Sequence, residues 1–179
     1  MPEITRNEVE KALSDVLAAR EAAARKLTDP EDPSKPYRFP PLPAPATPEE
    51  IAAAERALGV TLPPSYKHFL SLHNGLPDID LGSDLLGTRK LVDFNLGRAQ
   101  KVLPRVLKKI ERKTKDGLIV FGTTDGEISM FIFDSNKADE FGEWAAIDFD
   151  AEEGMLDEYD NFVDFLEDMA ATLTMMART

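Results

Sequence analysis

The chain has 179 residues and contains no cysteine. This absence excludes disulfide bonds, thiolate catalysis, iron–sulfur clusters and cysteine-based zinc sites. No apolar run approaches the roughly 20 residues that a membrane span requires, and the acidic start MPEITRNEVE lacks the apolar core of a signal peptide. We therefore expect a soluble, cytoplasmic protein that has no membrane partner.

Histidine is nearly as scarce, because the chain has only His68 and His73. Their spacing of five residues turns the two side chains away from a common helix face, so they do not form the i, i+4 pair of a helical zinc site. The chain also lacks a Walker loop, a Gly-x-Gly-x-x-Gly motif and a Gly-x-Ser-x-Gly motif. No constellation of side chains therefore supports an enzyme.

The acidic stretch Asp148-x-Asp150-x-Glu152-Glu153-Gly154 invites comparison with a calcium-binding loop. An EF-hand needs glycine at the sixth position and glutamate at the twelfth, and counting from Asp148 these positions hold Glu153 and Tyr159. A loose divalent-cation site and the paired carboxylates of a glycosidase are the alternatives. We favour a solvated acidic loop and expect no metal and no cofactor.

Charge is distributed unevenly along the chain, whose net charge is −12. Residues 134–168 hold 14 acids and one base, whereas residues 98–115 hold eight bases and one acid. An acidic protein repels phosphates, so nucleic acid is not expected as a partner. A basic protein partner would gain from the complementary field, and a general role in solubility explains the acidity equally well.

Three segments differ in composition. Thr5 and Glu8 form a capping box at the start of a helix predicted over residues 5–27. Eight of the 13 prolines then fall between Pro30 and Pro48, which predicts an extended, irregular arm. A linker is favoured over a ligand for SH3 or WW domains. The predicted organisation is a helix in 1–28, a proline-rich linker in 29–46 and a domain in 47–179.

Residues 47–75 carry the clearest pattern in the chain. Thr47 is placed to cap a helix with proline at its first position, and Gly59 is placed to end it. A second helix is predicted from Pro63-Pro64 to Asn74-Gly75, with its buried face formed by Tyr66, Phe69, Leu70 and His73.

The downstream half predicts a sheet followed by a helix. Residues 78–86 are interpreted as a loop, and the basic run 101–112 as a helix with Pro104 near its start or at a kink. Apolar runs at 118–121, 128–133 and 144–149 predict strands, the first two joined at Thr124-Asp125-Gly126. Asp160 or Asn161 is placed to cap a C-terminal helix. This order predicts an α+β fold.

The run EEIAAAERALGVTLPPSYKHFLSLHNG resembles the signature of the SUKH superfamily, which groups fungal cell-wall-synthesis regulators with bacterial toxin-immunity proteins. The run LIVFG at 118–122, Asp125-Gly126 and the closing Phe162-x-x-Phe165-Leu166 agree with it, so the resemblance spans about residues 47–170. It implies an antiparallel sheet of about four to six strands packed by helices, to which this chain adds an N-terminal helix. It also implies binding rather than catalysis, and it supplies no catalytic residues.

The resemblance and the charge pattern together predict a bacterial immunity protein that neutralises a basic, nuclease-type toxin. A nuclease is cationic because it binds phosphates, so an inhibitor gains by presenting carboxylates around an aromatic anchor. The alternative is a regulatory scaffold that binds an endogenous protein. The predicted binding residues are Glu143, Trp144, Asp148, Asp150, Glu152, Glu153, Asp157 and Glu158, with Asp78, Asp80 and Asp84 in a second acidic loop.

Overall fold

The computed structural model describes residues 2–29, 32–80, 82–110, 112–124 and 129–178. The described helices are α1 (Arg6–Ala24), α2 (Pro48–Leu58), α3 (Pro64–Leu72), α4 (Thr88–Leu96), α5 (Ala99–Lys109) and α6 (Phe162–Arg178). The described strands are β1 (Ser83–Leu85), β2 (Leu118–Thr124), β3 (Ser129–Ala138), β4 (Trp144–Asp150) and β5 (Gly154–Tyr159).

The five strands form one antiparallel sheet in the order β1-β2-β3-β4-β5. Helices lie on both faces of this sheet, because alternate residues of its central strands are apolar on each side. One face carries Phe121, Phe131 and Phe133 and packs with α1, α3 and α6 in the larger core. The other face carries Ile132 and Phe149 and packs under α5 in a smaller core. The predicted α+β fold is thus confirmed.

Helix α1 begins at the predicted capping box. The backbone N–H of Glu8 donates to the Thr5 hydroxyl, and the Glu8 carboxylate accepts from the backbone N–H of Thr5 at 2.7 Å. Its buried residues include Val9, Leu13 and Val16, which belong to the same core as the sheet and α6. The helix predicted at the N-terminus is therefore packed into the core of the domain.

The proline-rich arm runs along the domain and is bonded to it. The ring of Phe39 lies under the guanidinium of Arg20, 4.0 Å from its centroid, and the hydroxyl of Tyr37 donates to Asp78. Backbone bonds join Ala46 N–H to the carbonyl of Leu70 at 2.9 Å and Asn74 N–H to that of Ala44 at 3.0 Å. These contacts order the arm although its prolines lack backbone donors.

The patterned segment 47–75 folds as predicted into α2 and α3. Thr47 forms the capping box with Glu50, and Gly59 ends α2 with a φ of 69°, a conformation that glycine adopts without strain. Asn74 follows the end of α3 and caps a different helix. Its side-chain oxygen accepts from the backbone N–H of Thr88 at 2.7 Å and so caps α4, whose own N-cap residue is Gly87.

Two strands were not predicted, and the helix predicted over 101–112 is present as α5 with different bounds. The segment 78–86 contains strand β1, which is only three residues long and gives little periodicity. The region 88–109 forms two helices separated at Gly97, and Pro104 lies inside α5, where its ring is exposed. Strand β5 was not predicted, because most of its residues are exposed and its apolar and polar residues do not alternate. The predicted turn at Asp125-Gly126 and the start of the strand at Ile128 lie outside the described residues.

Asn161 caps α6, as one of the two predicted candidates. Its side-chain oxygen accepts from the backbone N–H groups of Val163 at 2.8 Å and Asp164 at 3.0 Å. Within the described ranges, none of the helices combines the length and the apolar character that crossing a membrane demands.

Candidate protein-binding surface

The acidic third of the chain divides into carboxylates that point inward and carboxylates that remain on the surface. Glu143 is only 2% exposed, and its carboxylate accepts from the backbone N–H of Ser65 at 2.8 Å and from the hydroxyl of Ser65. Burial raises the pKa of Glu143, and the two bonds from Ser65 oppose this shift. Because α3 begins at Pro64 without a side-chain cap of its own, Glu143 satisfies its first turn.

Trp144 also lies in the interior, with 6% of its surface exposed. Its ring makes an edge contact with Phe133, with centroids 6.1 Å apart. Glu143 and Trp144 were predicted to bind a partner. Both side chains are instead buried, and they contact Ser65 and Phe133 inside the domain. We therefore remove both from the candidate surface.

The remaining carboxylates of this region gather around β5, which is an edge strand of the described sheet. We call this region the acidic edge surface. It consists of Asp150, Glu152, Glu153, Asp157 and Glu158 together with the exposed Met155 and Leu156.

Met155 and Leu156 are each 49% exposed, which is unusual for large apolar side chains within a strand. Met155 lies opposite Phe149 in the register of the sheet, and Leu156 has no partner residue at the adjoining bulge. Exposed apolar residues with charged residues beside them are typical of protein interfaces. Neither residue was among the predicted binding residues, because that prediction rested on carboxylates and one aromatic residue.

The loop that precedes β5 is held by its own hydrogen bonds. The carboxylate of Asp150 accepts from the backbone N–H groups of Glu152 at 2.7 Å and Glu153 at 3.0 Å, and these bonds lower its pKa. The ammonium group of Lys109 donates to the carbonyls of Ala151 and Glu152 at 2.5 Å each. Glu152 and Glu153 are thus presented on an ordered loop, which reduces the entropy lost on binding.

Two other carboxylates of the acidic edge surface make local bonds. Asp157 accepts from the backbone N–H of Glu158 at 2.8 Å, and Glu158 forms an ion pair with Lys137. The charge of Glu158 is thus partly neutralised by Lys137. An exposed ion pair of this kind contributes little to stability.

Asp148 is half-buried on β4, directly opposite Asp157. Burial is the largest cause of its raised pKa of about 6, and the neighbouring carboxylates of Asp80, Asp157, Asp150 and Asp168 add to it. The structure thus brings Asp80 of the second acidic loop into electrostatic contact with the acidic third, although 68 residues separate Asp80 from Asp148.

The second acidic loop uses its carboxylates largely for its own structure. Asp80 accepts from the backbone N–H of Ser83 at 2.7 Å and from its hydroxyl at 2.9 Å. Asp84 accepts from the backbone N–H of Asp78 at 2.9 Å and pairs with Lys90 at 3.3 Å. Burial raises the pKa of Asp78, which Arg20 partly offsets.

The two histidines make structural contacts. One ring nitrogen of His68 lies 3.0 Å from the Glu10 carboxylate, and Nδ1 of His73 lies 3.2 Å from the carbonyl of Pro43. Across the part of the chain that the structure describes, no three side chains of histidine, cysteine, aspartate or glutamate are arranged to hold a metal ion. A groove of about 760 Å³ between the start of α1 and α3 is lined mainly by polar residues.

Comparison with known proteins agrees with this architecture. The model of the SMI1 / KNR4 family (SUKH-1) matches residues 45–168. A segment of 51 residues is 43% identical to the uncharacterized protein YnaB of Bacillus subtilis (strain 168) and covers 28% of this chain. The matched segment spans 35% of the length of YnaB. Because the family match covers most of the chain and includes the whole described sheet, this chain belongs to the SMI1 / KNR4 family (SUKH-1).

Proposed function

We propose that this protein is a non-catalytic immunity protein that neutralises a cognate basic toxin of the nuclease type through the acidic edge surface. The observation that carries the proposal is the cluster of surface carboxylates at 150–158 beside the exposed Met155 and Leu156, on an ordered loop and an edge strand. Membership of the family supports a role in binding proteins.

The electrostatics of this surface suit a cationic partner. A nuclease must present positive charge where it binds phosphates, and carboxylates placed there would compete with the substrate. Charges of this kind mainly accelerate association, whereas the apolar centre slows dissociation. We therefore expect an association rate that falls by at least about tenfold as the salt concentration rises from low to high values.

Co-expression tests this proposal. The gene adjacent to this one would be expressed in a bacterial host alone, with the wild-type chain, and with E152K/E153K/D157K. We expect the wild-type chain to restore growth and the charge-reversed variant to fail. A matched control, E3K/E21K/E49K, makes the same change in net charge at exposed residues elsewhere and should restore growth.

Rescue of growth by both variants would overturn the acidic edge surface as the binding site. A neighbouring gene that is harmless when expressed alone would favour the alternative function, a regulatory scaffold that binds an endogenous protein.

A further inference from the structure

A second charged surface lies beside the acidic edge surface. Lys101, Arg105 and Lys108 are exposed on α5 at spacings of four and three residues, which places them on one side of the helix. We call them the basic stripe. The opposite side of α5, with Leu103 and Val106, is buried against the sheet. The described part of α5 contains no acidic residue, so the stripe has no intrahelical ion pair.

The basic stripe adjoins the acidic edge surface in the same molecule. Lys109, at the end of α5, bonds the carbonyls of Ala151 and Glu152 at 2.5 Å. Met155 lies on the same face of the sheet as α5, because its partner Phe149 belongs to the core beneath that helix. The C-terminal end of α5 therefore adjoins the loop that carries Glu152 and Glu153, and Met155 lies on the same face of the sheet.

We propose that two copies of this chain form a two-fold symmetric dimer in which the basic stripe of each copy contacts Glu152 and Glu153 of the other. In a two-fold interface every contact between two residues occurs twice. In the proposed arrangement the basic stripe and the acidic loop at Glu152 and Glu153 of each copy face the acidic loop and the basic stripe of the other, which closes the assembly at two copies.

The net charge of −12 opposes association, but its effect is limited by screening. At physiological ionic strength the Debye length is about 8 Å, so charges far from the interface are largely screened, whereas apposed charges at contact distance are not. A different acidic protein would also complement the positive charge of the basic stripe. A second copy has the advantage that the complementary acids lie next to the stripe on the same face.

Analytical ultracentrifugation of the full chain tests this proposal with variants in which one or both patches have reversed charge. We expect the wild-type protein to dimerise in the micromolar range at physiological ionic strength. The variants K101E/R105E/K108E and E152K/E153K should each be monomeric, with dimer dissociation constants raised at least tenfold. Their equimolar mixture should form a heterodimer, and the chain that carries all five substitutions should again form a homodimer.

The matched control R25E/K26E/R56E reverses three exposed bases elsewhere and should remain dimeric. All of the substituted residues are exposed, and circular dichroism would verify that each variant is folded. A wild-type protein that stays monomeric, or a mixture of the two variants that fails to associate, would overturn the proposal. A toxin and a second copy would compete for Glu152 and Glu153, so the dimer would have to dissociate before the proposed toxin binds. The variant K101E/R105E/K108E distinguishes the two proposals, because it removes the dimer contact, keeps the acidic edge surface and should still restore growth.

Discussion

Helices α2 and α3 bury their most distinctive residues, whereas strand β5 leaves most of its residues on the surface. In α3, Tyr66, Phe69 and Leu70 are fully buried, and the ring of Tyr66 packs within 6 Å of four phenylalanine rings. In β5, the residues from 155 to 158 all remain exposed. The first region stabilises the domain, and the second contributes little to its core and is available to bind a partner.

The carboxylates of the acidic run 134–168 also differ in burial, although they lie close together in the sequence. Asp134 is buried, and one of its oxygens lies 2.6 Å from the guanidinium of Arg112. Glu143 is buried against Ser65, whereas Glu152 and Glu153 are exposed. An acidic run thus holds both structural anions, whose loss would leave buried partners unpaired, and surface anions that the fold does not need.

The largest expected effect follows from removing residues 1–46, because α1 forms part of the larger core with α3 and α6. Burial of Val9, Leu13 and Val16 contributes about 5 to 9 kcal/mol at roughly 1.5 to 3 kcal/mol for each side chain. This equals much of the about 5 to 15 kcal/mol by which a domain is stable. We expect the truncated chain to lose cooperative unfolding in urea, and a wild-type-like transition would contradict the role of α1 in the core.

Phe69→Ala and Met155→Ala remove a large apolar side chain from the two compared regions. Phe69→Ala should lower the free energy of unfolding by about 3 to 5 kcal/mol, because it leaves a cavity in the core. Met155→Ala should change it by less than about 0.5 kcal/mol, because the side chain is half-exposed. Urea denaturation measures both, and similar losses in the two variants would remove the distinction between the regions.

Glu143→Ala tests whether an acidic residue of this region is structural. It should cost about 1 to 3 kcal/mol, because the backbone N–H and hydroxyl of Ser65 lose their buried acceptor. Glu140→Ala, three residues earlier and exposed, is the control and should be neutral within about 0.5 kcal/mol. Equal stability of the two variants in thermal unfolding would show that the cap of α3 is dispensable.

Asp148→Asn should stabilise the protein, and by an amount that depends on pH. The pKa of Asp148 is raised to about 6 in the folded state, above the value of about 3.9 in an unfolded chain. The folded state therefore loses stability as pH rises from about 4 to 6 and the carboxyl ionises. Discounted for partial exposure, the gain from asparagine is about 1 kcal/mol at pH 7.5.

This gain should shrink towards zero below about pH 4, where both states hold the proton. Thermal unfolding of the wild-type protein and of the variant at several pH values measures it. A gain that is the same at every pH would exclude the charge of Asp148 as its cause.

Local features of the fold were predictable from the sequence because they depend on neighbouring residues. The capping boxes at Thr5 and Thr47 each join residues three positions apart, and the glycine end of α2 depends on one backbone angle. Strand β5 was missed for a physical reason. An edge strand exposed along most of its length has no alternation of apolar and polar residues to reveal it.

The candidate site was only partly predictable because its division depends on distant contacts. Glu143 meets Ser65 across 78 residues, so nothing near Glu143 in the sequence indicates that it is buried. Met155 and Leu156 are apolar residues of the kind usually found in a core. They are exposed because β5 lies at the edge of the sheet. Glu152 and Glu153 were identified correctly as exposed because they adjoin no apolar run.

The most direct test measures stability and binding in the same variant, E152K/E153K/D157K. We expect its free energy of unfolding to stay within about 0.5 kcal/mol per substitution of the wild-type value, because all three side chains are exposed. We also expect it to lose the ability to restore growth in the presence of the cognate toxin. A folded variant that still restores growth would contradict the acidic edge surface as the site where this protein binds its partner.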